Sequence, residues 1–309
     1  MGEIVNVGRE QVHAVVDGPP DGDPLLLACG LGGAWFDWLP TTELLRDEYR
    51  VTAFDRPGLG LSPAANARPT LRRDTAILEA LAERAGRPVI VLAHSMAAFP
   101  AEALARLRPD LVRGLVLADP SHEDDARAAV RLAPVLTPLA TAAGAVLTAT
   151  RLAKIAGPRG RRLVLGRTSR RDDPVPDTVV RSVYGRGTVI GTVLSEELAY
   201  REMAADLARL RERRPFPPVP LVVVTALGNV HGSRGRRRWS QGHARLAAMS
   251  PLGSQIVLPD VPHMVPLDRP DVLAGAVDRV RRAETEPAGS DTPSQDGTGR
   301  AATGRNADG

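Results

Sequence analysis

Cysteine is almost absent. Cys29 is the only one in 309 residues, which excludes an internal disulfide framework and any metal cluster built on several thiolates. Lysine is equally scarce: Lys154 stands alone, so the 40 basic residues are nearly all arginine, and against 36 acidic residues they leave a net charge of +4. In a chain rich in Ala, Gly, Arg and Pro this balance reflects composition, and no nucleic-acid partner is expected. No stretch approaches the ~20 predominantly apolar residues of a membrane span. The best candidate, 132–150, is interrupted by Pro134, Pro138 and Gly144, so no stable membrane insertion is expected. The first seven residues are mixed and include Glu3, unlike a secretory signal. Asn6 stands where a myristoylation signal needs Ser or Thr. A cytoplasmic location is the expectation.

Hydrophobic residues at 43% and charged residues at 25% are ordinary globular values and exclude wholesale disorder, collagen and coiled coil. Short apolar runs at 11–16, 25–29, 50–54, 88–93, 112–118, 221–225 and 255–258 read as strands. Most central runs are continuous Val, Leu, Ile and Ala, as expected when both faces of a parallel sheet are covered. Helical patterns at 38–47, 70–85, 96–107, 239–249 and 271–282 alternate with them, which predicts a doubly wound α/β sheet. The alternation stops between Pro120 and Pro218. That stretch reads as helices broken at Pro134, Pro138, Gly157, Pro158, Pro174 and Pro176, and it is too long to be a structureless loop. The expected organisation is a first core part at 1–119, a helical cap insertion at 120–218, a second core part at 219–283 and a disordered tail at 284–309.

The chemistry concentrates at strand ends. In Ala93-His94-Ser95-Met96-Ala97 a buried strand runs straight into a helix with a serine at the corner. A turn this sharp strains the serine backbone, exposes its Oγ and tolerates only small residues two positions to either side. The helix that follows offers the Met96 N–H to a developing oxyanion. A serine after a strand can equally be a helix N-cap, so the corner alone leaves two readings. Three further segments accompany it: Cys29-Gly30-Leu31-Gly32-Gly33, where a glycine turn can aim the Leu31 N–H at the same oxyanion; Asp55-Arg56-Pro57-Gly58-Leu59-Gly60-Leu61-Ser62; and Pro262-His263-Met264 before the last helix.

In this order, each at a strand end, the four segments closely resemble those of the α/β-hydrolase superfamily over roughly residues 4 to 283. The resemblance implies an α/β-hydrolase fold with an inserted helical cap. It implies Ser95 as nucleophile, His263 as base, Leu31 and Met96 as oxyanion donors, and neither cofactor nor metal. Serine at the corner, in place of aspartate, argues against the dehalogenase and epoxide-hydrolase branches. Alanines replace both glycines of the family's usual corner motif. Where the family often carries its acid, after 221–225, this chain has Asn229. Asparagine can hold an imidazole but cannot offset its charge. The family's other acid position, at the end of the strand after the corner helix, holds Asp119 here, which is the expected acid, with Glu123 and Asp124 as alternatives.

Cys29 reads as a buried apolar filler. His13 and His243 read as structural. His94 is expected to point away from Ser95, and His122 and His231 to lie in loops near the site. Trp35 and His122 are candidates to line a substrate pocket. The run Arg234–Arg238 reads as a solvated loop leading into a helix that starts at Trp239. The expected function is hydrolysis of an ester, thioester or lactone of a small apolar acyl substrate through an acyl-enzyme. Acyl transfer or C–C bond hydrolysis on the same residues, and a non-enzymatic binding role, are the rival readings.

Overall fold

The computed structural model describes residues 2–123 and 131–283. The tail expected at 284–309 and the alternative acid Asp124 lie outside the described residues. Eight strands form one sheet: β1 (Glu3–Val7), β2 (Glu10–Asp17), β3 (Asp23–Ala28), β4 (Tyr49–Asp55), β5 (Val89–His94), β6 (Val112–Ala118), β7 (Leu221–Ala226) and β8 (Gly253–Leu258). The order is β1-β2-β4-β3-β5-β6-β7-β8. β1 and β2 pair antiparallel, as do β2 and β4, and every other pair is parallel.

The continuous apolar runs divide by parity. Leu26, Val89, Val91 and Ala93 face one core, together with Leu78 and Leu81 of helix α2 (Leu71–Arg84), Leu104 of α3 (Ala98–Leu107) and Leu246 of α8 (Ser233–Ala247). Leu25, Leu27, Ile90 and Leu92 face the other, against Leu45 of α1 (Leu39–Leu45), Val265 of the short α9 (Val265–Asp268) and Leu273, Ala276, Val277 and Val280 of α10 (Pro270–Ala283). Those four α10 positions follow the i, i+3, i+4, i+7 stripe of a helix with one apolar face. A strand buried on both sides has no polar face to alternate with, which is why β3, β5 and β7 read as unbroken apolar runs.

Four helices lie between β6 and β7: α4 (Ala133–Ala149), α5 (Ala153–Thr168), α6 (Asp177–Tyr184) and α7 (Gly187–Arg213). Pro138 and Pro158 sit inside α4 and α5 and do not break them. The break expected at Pro174 and Pro176 is present at 169–176, and the other two fall at 150–152 and 185–186. Gly157 is demanded by packing, because a Cβ there would lie 1.7 Å from the Tyr184 carbonyl oxygen of α6. Two further expectations need correction. β1 is a strand where the apolar pattern predicts none before residue 11. The arginine run is helix, since α8 begins at Ser233. Arginine is a good helix former, and Arg236 anchors this turn by donating to the Leu227 and Pro259 carbonyls.

Candidate active site

β5 delivers Ser95 at the sheet's carboxyl edge with φ of +54°, a conformation costing a non-glycine residue on the order of 1–3 kcal/mol. The first turn after it is 3-10 helix, Ser95–Ala97, before α3 proper begins. Ala93 and Ala97 are fully enclosed, so the alanine corner is accommodated without opening the turn. The glycine turn after β3 crosses directly over this corner. A Cβ on Gly30 would come within 3.0 Å of the Ser95 Cβ, so only glycine lets the turn pass this close to the serine. Leu31 in turn packs against the apolar cluster that contains Met96 and Phe99.

His263 follows β8 and lies between Ser95 and Asp119. Its Nε2 is 3.0 Å from Ser95 Oγ and its Nδ1 is 2.6 Å from Asp119 Oδ2. A carboxylate can only accept, so Nδ1 carries the proton and Nε2 is left to accept from the serine hydroxyl. Asp119 is buried at the tip of β6, with φ of +40°. Its second oxygen accepts from the Ala226 N–H and from Trp239 Nε1, each at 3.0 Å. Burial pushes this carboxyl up, but the bonds from His263 and Trp239 outweigh it and hold the group below the usual aspartate value. An ionised carboxylate therefore faces the ring.

Asn229 has a different partner from the one a triad acid would have. Its side-chain oxygen accepts from the His263 backbone N–H at 2.7 Å, and its amide donates to the Arg167 carbonyl at 2.7 Å. The position that often carries the family's acid here fixes the histidine loop to the end of α5. The Met264 N–H adds a bond to the Thr168 carbonyl at 2.8 Å.

His94 does not face solvent or lie idle. Its ring lies 4.7 Å from that of His263, and its Nε2 donates to the His263 carbonyl at 2.9 Å. Burial, and then the neighbouring His263, push its pKa down to about 3, so it adds no second cation beside an imidazolium forming on His263. His243 bridges Thr225 Oγ and the Pro120 carbonyl, with burial lowering its pKa to about 4. Both rings stay neutral in the fold, whereas an ordinary histidine titrates at 6.5. Between these values the unfolded chain binds more protons, so stability rises with pH there. The contribution is complete above about 6.5 and is lost as pH falls toward the folded values. Thermal melting across this window is expected to drop steeply on acidification, and less so in a His243→Leu variant. Equal slopes for the two proteins would remove His243 from the account.

The remaining candidates fall elsewhere. Glu123 is exposed and sits near Tyr200. Asp119 already occupies the ring nitrogen that either alternative acid would have to reach. Trp35 does not line the site: its ring packs edge-on between His13 and Phe36, held by the pull of Asp55 on its backbone N–H. His122 lies against Gly242 and Arg245 of α8, because the chain leaving β6 turns onto that helix. His13 donates to Asp55, and His231 is exposed. Burial raises the Cys29 thiol well above its ordinary value, which keeps it an inert filler.

Two residues outside the expected relay organise the glycine turn. Arg56 and Glu196 of α7 form a bidentate pair, Nε to Oε1 at 2.7 Å and Nη2 to Oε2 at 2.9 Å, with Glu196 wholly buried. Arg56 also donates to the Cys29 and Gly30 carbonyls, while the Gly32 N–H donates to Glu196 at 2.9 Å. The turn beside Ser95 is thus clamped from α7. Arg56 was visible in its motif; Glu196, 140 positions away, carried no local signal. Removing one partner of a buried pair strands the other charge. Glu196→Ala is expected to cost about 3–5 kcal/mol in urea unfolding, and a loss below about 1 kcal/mol would show the clamp to be dispensable.

Beside Gly32 lies a cavity of about 320 Å³ walled mainly by Leu31, Leu147, Val164, Tyr184, Val189 and Val193. Its one charged wall residue, Arg161, is neutralised by Asp37 and Asp173. The space is mostly apolar and carries no surplus positive charge for an anionic substrate.

Residues 25–276 match the sequence profile of the alpha/beta hydrolase family. RutD of Variovorax paradoxus, named as a candidate carbamate hydrolase, is 33% identical over 123 residues, which are 38% of this chain and 46% of that protein. The matched region spans less than half the length of such curated relatives. Among solved structures, a thermophilic esterase from Thermogutta terrifontis superposes with a TM-score of 0.64 at 19% identity, covering 92% of this chain and 99% of the other. The epoxide hydrolase CorEH gives 0.67 at 19% identity, covering 91% and 98%. Proteins of different named chemistry share the fold, so the fold alone does not choose among reactions. The family itself is shown by the profile match over most of the sequence: this chain belongs to the α/β-hydrolase family.

Proposed function

We propose that the protein is a serine hydrolase that cleaves an ester, thioester or lactone of a small apolar acyl substrate through an acyl-enzyme. The observation that carries this reading is the relay Ser95 Oγ to His263 to Asp119, with the serine held at a strained corner. Ser95 attacks the carbonyl carbon as His263 Nε2 takes its proton. The oxyanion meets the Leu31 and Met96 N–H groups, and Asp119 stabilises the imidazolium. His263 returns the proton to the departing group, and a water activated by the same ring then hydrolyses the acyl-enzyme. The apolar cavity beside Gly32 suits the acyl portion. Cleavage of a carbamate, the bond named for RutD, would run through the same acyl chemistry.

A fluorophosphonate probe tests the reading without knowledge of the substrate. Covalent labelling that disappears in Ser95→Ala supports it. Absence of labelling, or labelling that survives the substitution, overturns it and favours a binding role for the fold.

A further inference from the structure

The outer face of α4 and α5 is unlike the rest of the surface. Val135, Leu139 and Val146 of α4, Leu152 at the corner and Ile155 of α5 are each more than half exposed. On α4 these side chains follow helical spacing, while the opposite stripe, Ala140 and Gly144, is buried against α7. No charged residue occurs in α4. From 131 to 171 the chain carries nine basic residues and no acidic one. Among the described residues, no carboxylate pairs with Arg151, Lys154 or Arg159, which stand among the exposed apolar side chains at the α4–α5 corner and along α5. No single helix among the described residues is long and apolar enough to cross a bilayer, and α4 and α5 are bent by 117° at their break.

An apolar face interleaved with unpaired cations is the pattern of a surface that lies in a lipid interface, its aliphatic side chains among the acyl chains and its arginines at the headgroups. We infer that this α4–α5 face docks on an anionic lipid surface. A second copy of the chain is disfavoured as the occupant, since pairing this face with itself would set two wholly basic segments against each other. A polyanion without an apolar phase would leave Val135, Leu139 and Ile155 in water. Leu147 of α4 and the exposed Val164 of α5 also wall the cavity beside Gly32, so docking would bring that cavity to the membrane. The inference holds whether or not Ser95 is a nucleophile, because binding is read without turnover.

The test is co-sedimentation of the full chain with vesicles of pure phosphatidylcholine or of equimolar phosphatidylcholine and phosphatidylglycerol. Binding to the anionic vesicles is expected to exceed binding to the neutral ones by about tenfold or more. It should collapse in 1 M salt, where the Debye length is about 3 Å. Leu139→Glu with Ile155→Glu, and separately Lys154→Gln with Arg159→Gln, should each weaken it about tenfold while melting and fluorophosphonate labelling stay unchanged. The second pair keeps the test decisive if the first disturbs folding. Equal binding to both vesicle types, binding that survives both double substitutions, or a dimer in light scattering that Leu139→Glu dissociates would each overturn the proposal, the last by giving the face to a second copy.

Discussion

Replacing Ser95 with alanine is expected to lower kcat on a short p-nitrophenyl ester by roughly 10⁶, to the residual rate that oxyanion donors and binding supply alone. His263→Ala should do about the same, and the double variant should be little worse, because members of a relay fail as a unit. Stability should move the other way in Ser95→Gly. The serine sits at φ of +54°, a region glycine enters without steric cost, so the inactive glycine variant is expected to melt no lower than the parent. Loss of activity together with a rise in melting temperature would mark the corner as strained for chemistry. Retention of most activity by Ser95→Ala with an unchanged melting curve would remove Ser95 as the nucleophile.

Asp119→Asn is expected to lower kcat by about 10⁴, for a reason specific to this carboxylate's contacts. One oxygen is committed to the Ala226 N–H and Trp239 Nε1, both donors. An asparagine must keep its carbonyl oxygen there and turn its NH₂ toward His263 Nδ1. That forces the proton onto Nε2, where the ring can no longer accept from Ser95. The fold should survive, since shape and the two accepted bonds are kept. Adding Asn229→Asp should not restore activity, because residue 229 meets the backbone N–H of His263 and not its ring. Glu123→Gln should stay near the parent rate. Near-parental turnover in Asp119→Asn would refute the acid assignment, and recovery in the double variant would show that the histidine loop can move its ring to residue 229.

Short-range pattern made part of this protein legible from its residues alone. Seven of the strands announced themselves as apolar runs between turn residues, and the two-sided burial that makes β3, β5 and β7 continuous also made them legible. Ser95, Asp119 and His263 were readable because each stands at the end of a strand, in a motif a few residues long. β1 was not, since Val5 and Val7 are buried through pairing with β2 and packing in the core that holds Leu78 and Leu81 of α2, and five mixed residues carry little pattern of their own. The helix over Arg234–Arg238 was hidden for a related reason: a run facing solvent has no apolar period, and its anchoring carbonyls at Leu227 and Pro259 lie on other segments. Only the tertiary structure could give Asn229 to the backbone of His263, set His94 beside its ring, pack Trp35 between His13 and Phe36 and His122 against α8, and close Glu196 on Arg56. Each of these depends on contacts between segments remote in the chain, and a contact of that kind leaves no trace in the residues flanking either end.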